Sequence, residues 1–161
     1  MKYLALALVA TLGVPSFVVA QTCTPTTAPT SPLASNQTIS GATTCGGTVG
    51  LNLGGTNVLP HPSKIYEFVA QNATATITIT PASTDIEMFL TTGCTSSPTA
   101  QGFVGGPLVI PPGTLTNGTK YFIVVTKDAS IPPQPAPGVC GAYGFTVVGT
   151  LPVSLQNFSV E

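Results

Sequence analysis

The sequence predicts an all-β fold, an antiparallel β-sandwich of jelly-roll or immunoglobulin-like type with about seven to eight strands. Three observations predict it. Short runs rich in Val, Ile, Thr, Tyr and Phe recur along the chain with Gly, Pro and Asn clusters between them. No window has the 3.6-residue apolar period of a helix. Four cysteines in a chain with an export-type start predict disulfide staples.

The start is read first, because it lies outside the fold. Lys2 gives a short positive region, Leu4 to Val14 is apolar, Pro15 interrupts, and Val18-Val19-Ala20 offers a small-residue cleavage site before Gln21. Residues 1–20 are therefore expected to be a signal peptide, and the protein to be exported to the cell surface, periplasm or exterior. Thr22, ahead of Cys23, stands where a lipidation signal carries Gly, Ala or Ser. No stretch approaches the roughly 18 apolar residues of a membrane span. Residues 21–37 form a Pro/Thr/Ser-rich segment with little regular structure expected. Residues 38–150 are the expected sandwich, and residues 151–161 a tail or edge strand.

Within the sandwich, the first strand is expected where Val49, Leu51 and Leu53 alternate with Gly50, Asn52 and Gly54. Lys64 to Ala70 places Tyr66 and Phe68 on one face and Ile65, Glu67 and Val69 on the other. Ala73 to Thr80 alternates Ala73, Ala75, Ile77 and Ile79 with four threonines, which predicts a half-buried strand with a hydroxyl-lined outer face. Asp85 to Thr91 follows, with Ile86, Met88 and Leu90 inward and Asp85, Glu87 and Phe89 on the opposite face. Phe103 and Val104 are a short strand or loop anchor, and Leu108 to Ile110 a short strand. In Leu115 to Asp128 the pair Asn117-Gly118 predicts a type I′ hairpin turn, whose two central residues need positive φ. It leads into Tyr121 to Val125, a buried central strand expected between the Tyr66/Phe68 and Tyr143/Phe145 strands. A Pro-rich surface loop, Ile131 to Gly138, precedes the last core strand, where Tyr143, Phe145 and Val147 share a face.

Cys23, Cys45, Cys94 and Cys140 allow three pairings. The expected one joins Cys23 to Cys45 and Cys94 to Cys140, each closure worth about 3 kcal/mol through the unfolded chain. No zinc site is expected, since the cysteines lack CxxC spacing and there is a single His.

Charge restricts function. Only 6% of residues are Asp, Glu, Lys or Arg, with no Arg. Without residues 1–20 the chain keeps three lysines against five carboxylates, a net −2. No basic cluster exists to displace counterions from nucleic acid or to hold an anionic lipid surface. His61, flanked by Pro60 and Pro62, reads as a solvated loop residue with no nucleophile motif to serve. Asp85 and Glu87, two apart on a strand, share a face and with Asp128 are candidate calcium ligands; as an acid–base pair they would suit a small hydrolase. Phe89 and Phe103 are the exposed aromatic candidates for stacking on a sugar. Asn36, Asn72, Asn117 and Asn157 open N-x-[ST] sequons.

Taken in order, Tyr66 and Phe68 (KIYEFVA), Ile77 and Ile79 (TATITIT), Asp85 to Cys94 (DIEMFLTTGC), Leu115 to Val125 (LTNGTKYFIVV) and Gly141 to Val147 (GAYGFTV) resemble the bacterial pre-peptidase C-terminal domain over residues 46–150. That resemblance implies a small β-sandwich, non-catalytic, that accompanies secreted enzymes and in some cases binds matrix polymers or calcium. The expected function is an exported binding, adhesion or surface-structural module facing an extracellular polymer or cell-surface component. The alternatives are a calcium-stabilised accessory domain of a secretion or protease system, or a hydrolase built on Asp85 and Glu87.

Overall fold

The computed structural model describes residues 23, 33–54, 57–71, 76–128, 138–149 and 151. The expected signal peptide, Ala73 and Ala75, most of the Pro-rich loop and the tail beyond Leu151 lie outside these residues. Among them the chain forms ten strands and no helix: β1 (Thr38–Thr43), β2 (Asn52–Leu53), β3 (Asn57–Val58), β4 (Lys64–Val69), β5 (Ile77–Pro81), β6 (Ile86–Thr91), β7 (Ala100–Gly102), β8 (Leu108–Ile110), β9 (Lys120–Lys127) and β10 (Ala142–Val148). One sheet runs β1-β10-β5-β8 and the other β4-β9-β6-β7, while β2 and β3 make a separate ribbon. Every pairing is antiparallel, as the sandwich expectation requires.

Alternation decides which side chains fill the space between the sheets. From the first sheet come Ile39, Ile77, Ile79, Leu108, Ile110, Tyr143, Phe145 and Val147. The second contributes Tyr66, Phe68, Ile86, Met88, Leu90, Tyr121, Ile123 and Val125. Tyr66 meets Phe145 edge to face at 5.3 Å, and its hydroxyl is hydrogen-bonded to that of Tyr143 across the core. That bond satisfies two phenols that would otherwise be costly to bury. On the solvent side of the first sheet Thr80 is exposed, and Thr38 and Thr146 stand opposite each other with their hydroxyls 3.3 Å apart.

The second sheet is covered on its other face too. Leu51, Leu53, Leu59, Ile65, Phe89, Phe122, Val124 and Cys94 form a further buried cluster, with Cys23 packed against it. This explains why seven of the eight residues of β9 are buried, and why its sequence reads as a continuous apolar run. Phe89, expected on an exposed face, is only 3% exposed for this reason.

Several expectations are corrected. The strand expected around Val49 shrinks to Asn52–Leu53 in the ribbon, and Val49 is exposed, while β1 starts the sandwich earlier. Asn117-Gly118 does not form a type I′ hairpin. Gly118 has φ +77°, but the described non-glycine residues with positive φ are Asn36 and Val104. The turn, closed by Thr119 N–H donating to Thr116 O at 3.1 Å, carries the chain from β8 in one sheet to β9 in the other. A two-residue hairpin cannot make that crossing, because it returns its strand to the same sheet. β9 is flanked by β4 and β6, whereas β10 lies in the facing sheet. β7 falls at Ala100–Gly102, just before Phe103 and Val104, which are loop.

All four cysteines are bridged, but the pairing is Cys23–Cys94 and Cys45–Cys140, not Cys23–Cys45 with Cys94–Cys140. Sequence proximity misleads here because the bridges pair each of the two cysteines with a distant partner. Leu33 is buried in the main core and its N–H donates to Glu67 O at 3.0 Å, beside the outer strand β4. Cys23 and Cys45 therefore sit at different places on the sandwich. Two disulfides indicate an oxidising, extracellular or periplasmic environment.

β1 carries a bulge between Ile39 and Ala42, with Gly41 at φ +63°. Opposite it, Gly144 is pressed against the β1 backbone: a Cβ there would lie 2.8 Å from Ile39 O. Gly144→Ala is expected to lower stability by about 1–3 kcal/mol, since the backbone oxygen has no flexible end to yield. Phe145→Ala, which empties the middle of the core, is expected to cost about 3–5 kcal/mol. Urea unfolding followed by circular dichroism checks both.

Candidate functional site

The bulge of β1, the bend after β5 and Gly144 together shape a depression of about 340 Å³. Its walls include Ser40, Gly41, Ala82, Ser83, Gly144 and Thr146, with Ile39 and Phe145 also contributing. Gly144 creates the space by lacking a side chain, and Ala82 N–H donates to Gly144 O at 2.8 Å to hold the bend beside β10. No carboxylate, amine or imidazole lines it. Such a surface offers hydroxyls, backbone groups and small apolar walls, which suit an uncharged ligand. Sequence reasoning missed it, because a bulge leaves no mark in the alternation of a six-residue strand.

The three candidate calcium ligands are engaged separately. Asp85 sits in the bend before β6, and its carboxylate is paired with Lys127. The hydrogen bond from Lys127 is the main reason its pKa falls below the usual carboxylate value. Glu87 lies within β6, beside Asp128, and burial followed by the charge and hydrogen bonding of Asp128 pushes its carboxyl up to about 7. Asp128 Oδ2 also accepts the Val104 N–H at 2.8 Å. Thus the expected shared face of Asp85 and Glu87 divides: one carboxylate is paired with an ammonium, and the other is buried beside Asp128. Among the described residues no group of three or more His, Cys, Asp or Glu is placed to hold a metal ion. The arrangement is also unlike a glycosidase pair, since neither carboxyl faces the depression.

Val104 is the notable backbone residue. It has φ +52°, a rare conformation for a β-branched side chain, and its side chain is exposed. Asp128 and the bond from Gly105 N–H to Ile86 O hold this loop in place. Phe103, 45% exposed, rests edge-on against Phe89 at 6.0 Å. Of the two aromatic candidates, then, Phe89 is core and Phe103 is available at the surface. No signal in the sequence links Asp128 to Val104, because the bond depends on how the β7–β8 connection folds over the end of β9.

His61 overturns its reading as a solvated loop residue. It is 0% exposed, and neither ring nitrogen has a hydrogen-bond partner. Burial lowers its pKa, so the ring is held neutral. Its carbonyl accepts from Ser63 Oγ at 3.3 Å and Thr126 Oγ1 at 3.4 Å, so the Pro-His-Pro segment is laid across β9 rather than left in water. The flanking prolines signalled a loop but said nothing about what lies against it. No helix among the described residues is long and apolar enough to cross a membrane.

These groups set opposite pH limits. Asp85 and His61 have lowered pKa values, so the stability they confer is present above their unfolded values, 3.8 and 6.5, and is lost as pH falls. Glu87 has a raised value, so its contribution is full below 4.5 and lost as pH rises through about 7. The Glu87 contribution to stability, measured by urea midpoint, should therefore decline between pH 4.5 and about 7 and level off above that. Glu87→Gln should remove that decline and leave the opposing loss that His61 causes as pH falls below 6.5, while His61→Phe should remove the latter and leave the former.

Compared with family models, with curated proteins and with solved structures, the chain matches none of them.

Proposed function

We propose that this chain is an exported, non-catalytic β-sandwich module that binds an uncharged, hydroxyl-bearing extracellular polymer. The observation that carries this reading is the depression over Gly144, whose walls hold hydroxyls and small apolar groups and no ionic side chain. A neutral glycan can exchange water for such hydroxyls without the desolvation of a charge. The low charge of the whole chain supports the same reading, as does the resemblance of its strand segments to the pre-peptidase C-terminal domain. The export signal read in residues 1–20 and the two disulfides support an extracellular or periplasmic setting for this role. A catalytic role finds no support in Asp85 and Glu87, whose carboxyls are occupied by Lys127 and Asp128.

Affinity electrophoresis against a panel of neutral and acidic polysaccharides tests the proposal. Retardation by one or more neutral polymers is expected, with Ala82→Trp abolishing it while the thermal midpoint stays unchanged. Ala82 is exposed and lines the depression, so the indole would fill it without entering the core. Retardation by none of the neutral polymers would overturn the proposal. Retention that survives Ala82→Trp and is lost in Phe103→Ala would move the contact to the Phe103 loop.

A further inference from the structure

The two disulfides are not equivalent. Cys94 is 2% exposed and belongs to the cluster behind the second sheet, with Cys23 packed against the same apolar side chains. Cys45, by contrast, is exposed and its partner Cys140 is half-buried. A disulfide is reduced by a thiolate approaching one sulfur in line with the bond, so access decides which bridge reacts.

The accessible bridge also closes something. Around it three pieces of chain are stitched together: residues 44–48, residues 60–63 and residues 138–141. Thr48 and Ser63 exchange backbone bonds of 2.9 and 2.8 Å. Gly47 packs so closely that a Cβ there would lie 2.3 Å from Ser63 O. Gly138 N–H donates to Pro60 O at 3.0 Å, and Thr44 N–H to Gly141 O at 2.9 Å. His61 lies within this knot, fully covered, with two unpartnered nitrogens. An imidazole in that state gains hydrogen bonds from water as soon as its cover lifts, so the closed form depends on whatever clamps the knot. The clamp at its accessible side is Cys45–Cys140.

We propose that Cys45–Cys140 is a thiol-exchange site, a clasp opened by a dithiol reductant to uncover His61. One thiolate of the reductant attacks Sγ of the exposed residue Cys45, the Sγ–Sγ bond breaks, and Cys140 departs as a thiolate that takes up a proton. The second thiol of the reductant then displaces Cys45 from the mixed disulfide. The protein gains two electrons and two protons as Cys45 and Cys140 thiols, and the reductant leaves as its own disulfide. Cys23–Cys94 keeps the rear cluster stapled throughout, so the sandwich stays folded while residues 138–141 are released from Pro60.

The test uses the whole folded protein with dithiothreitol as the reductant. Samples are quenched over time with N-ethylmaleimide, and peptide mass spectrometry locates the label. Cys45 and Cys140 should be alkylated about tenfold or more faster than Cys23 and Cys94. His61 is the one histidine in the chain, so its carbethoxylation by diethyl pyrocarbonate is an unambiguous reading of access. That reaction should be about tenfold faster or more in the singly reduced protein, with near-ultraviolet circular dichroism retained. Equal or reversed order of the two bridges would overturn the proposal. An unreactive His61 after Cys45–Cys140 opens would also overturn it, as would loss of tertiary dichroism at the same rate as alkylation.

Discussion

A strand buried on both faces needs two covers, and β9 imposes that need on the whole molecule. Toward the front, Tyr121, Ile123 and Val125 pack into the space between the sheets. Toward the back, Phe122 and Val124 require a second layer that the two four-stranded sheets do not provide. The ribbon of β2 and β3, Leu59 and Cys23 supply it. At roughly 1.5–3 kcal/mol for each large apolar side chain removed from water, leaving that rear face bare would cost a large share of a small domain's stability. A covalent tie secures this cover. Cys23–Cys94 fixes its start to the exit of β6.

The same requirement accounts for the packing of the Pro-His-Pro segment. Chain that continues from the rear cover into β4 has to cross the end of β9, and Thr126 meets it with a hydroxyl directed at the carbonyls of His61 and Pro62. His61 is thus enclosed because of where its neighbours must go, not because the imidazole has a partner to meet.

Much of this was legible in the sequence. The alternation in Tyr66/Phe68, Ile77/Ile79 and Tyr143/Phe145/Val147 marked the core faces correctly, since period-two burial depends only on local geometry. What was hidden depends on distant chain. The disulfide partners follow from where Cys23 and Cys45 come to lie on the folded sandwich, which no spacing records. Asn117-Gly118 signalled a turn correctly, but its type was set by the need to change sheets. Phe89 looked exposed because one face of its strand was assigned to solvent, and only the rear cover turns that face into core. For the candidate site, the residue types of Asp85, Glu87 and Asp128 were apparent while their separation by Lys127 was not. The depression over Gly144 was invisible, being made of backbone and of an absent side chain.

One feature of the first sheet bears on how copies of the protein behave in a crowd. β8 ends that sheet next to β7 of the other, where Gly102 meets the Leu108 backbone, so that rim is occupied. The opposite rim is β1, whose outward row of donors and acceptors is interrupted at Gly41 by the bulge. A visiting strand would find no continuous ladder there to extend. For a protein with so little charge to keep neighbours apart, an irregular rim takes over the task that repulsion performs in more highly charged domains. The irregularity that shapes the depression over Gly144 thus also guards against self-stacking into fibres.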